Sequence, residues 1–449
     1  MYSETQALHV VDDHAPIPPT TTTGGKASGW RRPFAVLKVT GVSDSDVRQS
    51  SPIMRRRLPI SLAATATLVA AACGSAAADP VLPTVPFGGL TYTVNVEKPG
   101  VSDGYLYYTV GVSAAALVPG LGAVAQALPG GKPANVIADR SGKPIQRYEP
   151  PVGQDVSNFR TQKYQGRKVL TWWQGSTVAG HGSGVGIIAD ENFNVLTTVD
   201  PGGAGADVHE FRLTPDGHAL LTSYPQVDAD LTAIGGPKNG KMFDTVALVM
   251  DVASGKELFR WSAAEHVPLA DSQTPGKLNS DVYDPYHMNS ISLDPSGNLL
   301  VSLRNTAAVY DVDPRTGDIR WQLGGKHPTL AADPGVEFAF QHDAEFTDAT
   351  TLRLFNNNSD GPESRGHSSV EWINIDLAAN RATLLRNQEH PEGLVSFAMG
   401  NAEALPNGNT LVCWGMAPHI SEFTPTGDLV YDATLPFGTY RAYLDTFPS

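Results

Sequence analysis

DVASGKELFRW at residues 251–261 returns 60 residues later as DVDPRTGDIRW at residues 311–321, and this repeat decides the fold. Each copy places an Asp-Val pair before a glycine-containing turn and an Arg-Trp pair after it. A period of about 50–60 residues with several strands in each unit is typical of a β-propeller blade.

Short apolar runs between turn residues surround the repeat. Examples are VALVM at residues 246–250, LLVSL at 299–303 and TLVCW at 410–414. No segment has a sustained helical period, which argues against an α/β fold. About 370 residues divided by a period of roughly 60 gives about six blades. We therefore predict an all-β, six-bladed β-propeller that forms one domain over residues 80–449; two stacked β-sandwiches are the alternative, but no linker-like stretch separates them.

The composition limits the choice of partners. The chain has 449 residues, of which 41% are hydrophobic and 17% charged, as in an ordinary globular protein. Its formal net charge of −14 argues against nucleic acid or an anionic membrane as the main partner. An anionic substrate must therefore be held by a local cluster of cations.

The first part of the sequence has the pattern of an export signal. Three arginines follow Met54, an apolar run spans residues 58–72, and small residues surround Cys73 up to Asp79. We predict a signal peptide at residues 54–79, preceded by a mis-called or disordered extension at residues 1–53. The residues before Cys73 resemble a lipoprotein signal, so the protein is expected either outside the cell or anchored by lipid at Cys73 to the outer face of the cell membrane.

Four strand-like segments each carry a histidine or an arginine. They are DVHEF with His209, HMNSI with His287, LVSLR with Arg304 and FQHD with His342. If the strands that bear them converge, three imidazoles and a guanidinium line one pocket. Such a pocket suits an oxyanion.

Several motifs match a known family in order and spacing. They are VLTWW (169–173), HEF (209–211), HMNSI (287–291) with LR (303–304), WQLGG (321–325), QHDA (341–344), LPNGN (405–409) and YRAY (440–443). The run from residue 166 to 443 resembles the arylsulfotransferase family that works without a nucleotide sulfate donor, and is most similar to its fungal and actinobacterial branch.

The resemblance implies a catalytic six-bladed propeller with its active site at the central channel and a ping-pong reaction. By motif, His342 is the nucleophile that becomes a sulfohistidine, and His287, Asn289, Arg304 and His209 support it. The implied ligands are small aryl sulfates and phenols, with no cofactor and no metal ion.

The chemistry is consistent with these residue types. Sulfuryl transfer moves three oxygens that carry negative charge, and Arg304 can present a two-pronged donor to them. A neutral imidazole is a good nucleophile near pH 7, and a leaving phenol benefits from a proton donor such as His287 or His209. The glycine-rich run at residues 180–186, GHGSGVG, lacks the context of a phosphate-binding loop and is predicted to be a turn or a close-packed strand.

Other residues have two interpretations. Trp172, Trp173 and Phe340 could flank the aryl ring of a substrate, or pack in the core. Glu210 and Asp343 could orient histidines, or lie in solvated turns.

Two departures from the family pattern lead to further expectations. Asn356 stands where relatives have Asp, so an orienting hydrogen bond is expected to change. The sequence ends soon after Tyr440, so the expectation is either imperfect closure of the last blade or a truncated sequence.

Two other functions compete with sulfuryl transfer. A histidine-ligated, metal-dependent propeller oxygenase would use Glu210 or Glu345 as outer carboxylates, but Arg304 would not help a metal ion. A non-catalytic propeller would use the same histidines only to bind a ligand. Hydrolysis of the aryl sulfate and the oligomeric state are left open by the sequence.

Overall fold

A computed structural model describes residues 92–111, 132–178, 180–274, 282–361 and 363–446. The predicted extension, the signal segment at residues 54–79 and Cys73 lie outside these residues. Within the described ranges, no helix combines the length and the apolar character that crossing a membrane requires.

The described chain consists mostly of short strands, as its alternation of apolar runs and turn residues predicts. The strands of its first half are β1 (Thr93–Glu97), β2 (Tyr105–Val110), β3 (Ala134–Ala138), β4 (Pro144–Tyr148), β5 (Asp155–Tyr164), β6 (Arg167–Val178), β7 (His181–Ala189), β8 (Val195–Val199), β9 (Phe211–Leu213), β10 (His218–Ser223), β11 (Gln226–Ala229), β12 (Gly240–Phe243), β13 (Val246–Asp251) and β14 (Glu257–Ser262).

The strands of its second half continue the same pattern. They are β15 (Met288–Leu293), β16 (Leu299–Leu303), β17 (Ala308–Val312), β18 (Ile319–Gly324), β19 (Ala331–Ala332), β20 (His342–Phe346), β21 (Thr351–Asn356), β22 (Ser369–Asp376), β23 (Arg381–Glu389), β24 (Asn401–Ala404), β25 (Thr410–Cys413), β26 (His419–Phe423), β27 (Leu429–Thr434) and β28 (Ala442–Asp445). The described helices are single turns, namely α1 (Ala263–His266) and the 3-10 turns Thr232–Ile234, Leu269–Asp271 and Arg304–Thr306.

Six sheets of four or five strands form the blades, which confirms the predicted six-bladed propeller. From the innermost strand outward, blade 1 is β28-β2-β3-β4, blade 2 is β5-β6-β7-β8 and blade 3 is β9-β10-β13-β14. Blade 4 is β15-β16-β17-β18, blade 5 is β20-β21-β22-β23 with β19 outside, and blade 6 is β24-β25-β26-β27 with β1 outside. The hairpin β11–β12 is an insertion between β10 and β13 of blade 3.

The repeat seen in the sequence corresponds to the two outer strands of consecutive blades. Its first copy covers the end of β13 and most of β14, and its second copy covers the end of β17 and the first part of β18. Trp261 pairs with Ala247 across the first hairpin, and Trp321 pairs with Asp311 across the second. Both indoles are buried against neighbouring blades, so the repeat is a packing unit.

Both ends of the described chain help to close the ring. The C-terminal strand β28 is the innermost strand of blade 1 and pairs with β2, where Tyr443 faces Tyr107. The N-terminal strand β1 pairs with β27 as the outermost strand of blade 6. The expectation of imperfect closure was therefore wrong, because β28 completes a blade that begins with residues near the other end of the described chain.

Candidate active site

The predicted site residues lie at one end of the innermost strands. His209 and His287 come just before β9 and β15, His342 begins β20, and Arg304 follows the end of β16. The backbone turns sharply at two of these positions, where His287 has φ 54° and Phe340, just before the third histidine, has φ 57°. Non-glycine residues rarely adopt this left-handed conformation, and such positions are concentrated at functional sites.

The structure brings these residues together. The ring centroids of His209 and His287 are 4.7 Å apart, and Tyr440 lies 5.7 Å from His209 and 6.3 Å from His342. All three histidines are at least 97% buried. The cluster therefore has the composition that the sequence predicted, with a tyrosine between the histidines.

His342 is held in one tautomer. The amide nitrogen of Asn357 donates to the carbonyl oxygens of Ser396 and Met399, each at 2.9 Å, so its oxygen must face His342. The ring Nδ1 then donates to Asn357 Oδ1 at 2.7 Å and to Phe340 O at 2.9 Å. Because Nδ1 carries the proton, Nε2 keeps a lone pair, which accepts the backbone N–H of Met399 at 3.2 Å.

Arg304 is the cation of the cluster. Its guanidinium lies 4.4 Å from the ring centroid of Phe340 and donates through Nε to Asn305 Oδ1 at 3.0 Å. Burial and this positive charge together hold the pKa values of His287 and His342 well below the usual histidine value. Both imidazoles are therefore neutral near pH 7 and can act as a nucleophile or as a base.

Two further residues join the site through His287. Asp284 Oδ2 accepts hydrogen bonds from His287 Nδ1 and, at 3.1 Å, from Nε2 of His181. His181 and His287 have ring centroids 5.4 Å apart. Neither His181 nor Asp284 was predicted; the signals available were a histidine inside the glycine-rich run and an Asp three residues before His287.

Asp207 orients His209. One carboxylate oxygen, Oδ2, accepts both the backbone N–H of His209, at 3.1 Å, and its ring Nδ1. The other, Oδ1, accepts the backbone N–H of Gly182 at 2.6 Å. The orienting carboxylate is therefore Asp207 and not its neighbour Glu210, which had been one interpretation of the sequence.

Glu210 and Asp343 belong to an ion-pair network among the innermost strands. Glu210 is fully buried and pairs with Arg160 at 3.1 Å and Arg441 at 2.9 Å. Burial alone would raise its pKa, but the surrounding arginines lower the pKa to about 2. Asp343 accepts the backbone N–H of Ala402 and lies 3.5 Å from the same Arg441. Neither carboxylate bonds to a histidine of the described chain, and both are buried rather than in a solvated turn.

Asn289 connects the histidine cluster to this network. Its side-chain nitrogen donates to Gln341 O at 2.7 Å, and its backbone oxygen accepts Tyr440 Oη at 3.1 Å and Arg441 Nη2 at 3.0 Å. Its side-chain oxygen is buried and has no partner in the described protein. A bound molecule with a hydroxyl group would satisfy that oxygen.

The aromatic residues predicted to bind substrate separate into two groups. Trp172 is fully buried against Phe159, Tyr148 and Phe193, and its ring contacts none of the site histidines. Trp173 is equally buried and donates to Ala206 O at 2.8 Å. Both tryptophans therefore pack between blades, which corrects their assignment to substrate binding. Phe340 does lie at the site, beneath Arg304.

The predicted change at Asn356 does not affect the nucleophile. Asn356 donates to Glu371 Oε1 at 2.7 Å and accepts the backbone N–H of Ala339. Its neighbour Asn357 makes the bond to His342 instead. That role could not be assigned from an Asn-Asn-Asn run in which each residue could face the histidine.

Two groups in the described chain have the composition of a metal site, His181 with Asp284 and His287, and His390 with His419 and Asp432. In both, the histidines are bonded or paired to the carboxylate they share. The carboxylates of the metal alternative are also engaged, because Glu210 pairs with arginines and Glu345 pairs with Arg212 and Arg353. We assign none of these residues as a metal ligand.

Comparison with known proteins gives one family. The family model described as Arylsulfotransferase (ASST) matches residues 160–435. No curated protein matches the chain significantly.

Solved structures resemble the chain only distantly. One is a protein of unknown function from Bacteroides caccae, with 15% identity and a TM-score of 0.46 over 76% of this chain and 98% of that chain. The periplasmic gluconolactonase of Pseudomonas aeruginosa has 11% identity and a TM-score of 0.41 over 76% and 100%. The hydrazine synthase of Kuenenia stuttgartiensis has 10% identity and a TM-score of 0.42 over 71% and 87%.

Proposed function

Because the chain belongs to the arylsulfotransferase family, we propose that it transfers a sulfuryl group from an aryl sulfate to a phenol through a sulfohistidine at His342. The observation that carries this proposal is the tautomer of His342. Its Nδ1 proton is engaged by Asn357 and Phe340, so Nε2 is the nucleophilic nitrogen once it releases the backbone N–H of Met399.

The first half-reaction forms the intermediate. Nε2 of His342 attacks sulfur, the bond from sulfur to the aryl oxygen breaks, and the aryl oxygen leaves with the electron pair. The guanidinium of Arg304 stabilises the charge on the three sulfuryl oxygens. The departing aryl oxide takes a proton from His209 or from solvent, because the neutral His287 uses its one ring proton to bond Asp284 and has none on Nε2 to give.

The second half-reaction returns the enzyme to its starting state. A phenol gives up its proton to the unprotonated Nε2 of His287 as its oxygen attacks sulfur, and the N–S bond breaks with the electron pair returning to His342 Nε2. The ligands in this proposal are small aryl sulfates and phenols, and the reaction uses no nucleotide. The signal predicted at residues 54–79 would place this activity outside the cell or, with a lipid anchor at Cys73, on the outer face of the cell membrane.

The test uses 4-nitrophenyl sulfate as the donor, with and without added phenol. We expect nitrophenolate release that depends on phenol and that is lost in His342→Asn. Mass spectrometry of acid-free quenched protein should find a sulfuryl adduct on His342 when phenol is omitted. His419→Gln is the matched control, because this partly exposed histidine lies outside the cluster.

Each other outcome has a definite meaning. Release without phenol would indicate a sulfatase acting through the same residue. No release from a folded protein, or full activity in His342→Asn, would overturn the proposal.

A further inference from the structure

The glycine-rich run is a strand whose glycines are required by close packing. It forms β7, which pairs with β6 along its whole length. A Cβ atom at Gly182 would lie 2.6 Å from Trp173 Cζ2, and one at Gly186 would lie 2.5 Å from Phe211. Only glycine fits at these approaches. The prediction of a close-packed strand is confirmed, and the strand carries a histidine at its first position.

That histidine, His181, reaches the cluster from blade 2. Its ring stacks on Phe243 of the inserted hairpin with centroids 4.2 Å apart, and lies 4.9 Å from the ring of Tyr224. Its Nε2 bonds to Asp284 Oδ2, the same oxygen that bonds to His287 Nδ1. Two histidines from different blades therefore share one carboxylate oxygen.

The atoms not used in this sharing have no partner among the described residues. They are His181 Nδ1, His287 Nε2 and Asp284 Oδ1, and all three are buried. Each histidine thus keeps one ring nitrogen that can take up a proton. The pair has a single carboxylate, Asp284, to balance the positive charge that results. A second proton on the pair would have no counter-charge of its own.

We propose that His181 is a further positioning residue of this site. It carries the proton that Asp284 attracts. His287 Nε2 therefore stays unprotonated and can take the proton of the acceptor phenol. In that step the phenol O–H proton moves to His287 as the phenol oxygen attacks sulfur. This inference rests on the proposed function for the identity of the reaction, but the coupling between the two histidines does not.

The charges around each ring agree with a protonated His181 and a neutral His287. His287 faces the guanidinium of Arg304 and the ring of His209, with the phenol of Tyr224 beside it. His181 faces Asp284 and, further away, Asp207, with Arg304 as the opposing charge. Burial opposes protonation of His181, but the two carboxylates outweigh it and raise its pKa, whereas burial and Arg304 lower that of His287.

The shared carboxylate sets the direction in which the pKa of His287 changes when His181 is replaced. Without a cation at residue 181, Asp284 acts on His287 alone and favours its protonated form, which raises its pKa. Because a protonated His287 cannot act as the base, the acid limb of the activity profile moves to higher pH. An opposite charge within about 4–6 Å shifts a pKa by about 1–3 units.

The first experiment does not depend on activity. Nuclear magnetic resonance of the full chain labelled with ¹³C-histidine would follow the titration of His287, identified by its loss in His287→Gln. In His181→Gln, which can still donate to Asp284, we expect the pKa of His287 to rise by about one unit or more. His181→Phe, which keeps the stacking on Phe243, should give the same rise. An unchanged pKa in both folded variants would overturn the inference.

The second experiment measures kcat/KM for sulfuryl transfer against pH. We expect the acid limb to move upward in His181→Gln by the same amount, while His419→Gln, which changes the other histidine pair that shares a carboxylate, leaves it in place. A higher pKa of His287 without any transfer activity in the unmodified protein would refute the proposed function and keep the coupling. Transfer with an unmoved acid limb would keep the function and refute the coupling.

Discussion

Arg304 is the residue on which the electrostatics of the site depend. Its guanidinium is half-buried beside two neutral imidazoles, and together with burial it lowers the pKa of both. In the proposed reaction the same charge binds the sulfuryl oxygens and keeps the nucleophile unprotonated. A single guanidinium therefore acts on the substrate and on the residue that attacks it.

Arg304→Met separates these two effects. We expect kcat/KM to fall by about 10²- to 10³-fold, because a donor to the developing charge is lost. The remaining activity should have its acid limb at higher pH, since the pKa values of His287 and His342 rise when the neighbouring positive charge is removed. A pH profile of kcat/KM measures both effects. The control is Arg315→Ala, which removes an exposed arginine from the turn between β17 and β18. It should change neither kcat/KM nor the position of the acid limb.

The sequence indicated which residues converge at the site, but not the side chains that hydrogen-bond to them. His209, His287, His342, Arg304 and Asn289 converge because each lies in a motif at the end of an inner or adjacent strand. The orienting groups Asp207, Asp284 and Asn357 were missed, since a hydrogen-bond partner depends on side-chain direction after folding. The tryptophans at residues 172 and 173 were placed wrongly for a related reason: an aromatic pair in a strand has the same sequence whether it faces a ligand or another blade.

The hairpin of β6 and β7 is the element that brings a remote histidine to the cluster. Its strands have 12 and 9 residues, and the glycines of β7 let that strand lie directly against Trp173 of β6 and Phe211 of β9. The position of His181 therefore depends on how closely this ribbon packs on its neighbours.

Gly182→Ala tests that dependence. Its Cβ would lie 2.6 Å from Trp173 Cζ2 and 2.9 Å from the backbone nitrogen of Val208, next to His209. We expect a loss of about 1–3 kcal/mol in the free energy of unfolding, because the core must shift to admit the methyl group. Urea unfolding measures it. Ser183→Ala, at the exposed neighbouring position, should leave stability unchanged.

At this scale the sequence predicted the regular parts of the fold. The Asp-Val to Arg-Trp repeat corresponds to the outer hairpins of blades 3 and 4, where both tryptophans are buried although Trp261 pairs with Ala247 and Trp321 with Asp311. The inserted hairpin β11–β12 was not predicted. Among the residues that the structure describes, it has no counterpart in the other blades, so no repeat could reveal it.

The whole ring is joined at its centre by buried charges. Arg441 of blade 1 pairs with Glu210, which precedes blade 3, and lies near Asp343 of blade 5. It also donates to the backbone of Asn289 in blade 4. One side chain thus links several blades around the centre.

Arg441→Met should therefore destabilise the entire domain. Removing one partner of a buried ion pair costs up to about 3–5 kcal/mol, and Glu210 would keep only its pair with Arg160. We expect a single unfolding transition at a lower urea concentration, seen equally by tryptophan fluorescence and by circular dichroism. A loss confined to activity, with unchanged unfolding, would show that the network matters only locally.

Closure by β28 also sets the order in which the protein can mature. Synthesis proceeds from the N-terminus, and Tyr440, Arg441 and β28 come after every other strand of the described chain. The pairing of Tyr107 with Tyr443 joins residues far apart in sequence, which is a slow kind of contact to form. A nascent chain on the ribosome therefore has an open ring and lacks the hydrogen bonds from Tyr440 and Arg441 to Asn289, so the proposed reaction must wait until β28 has been made.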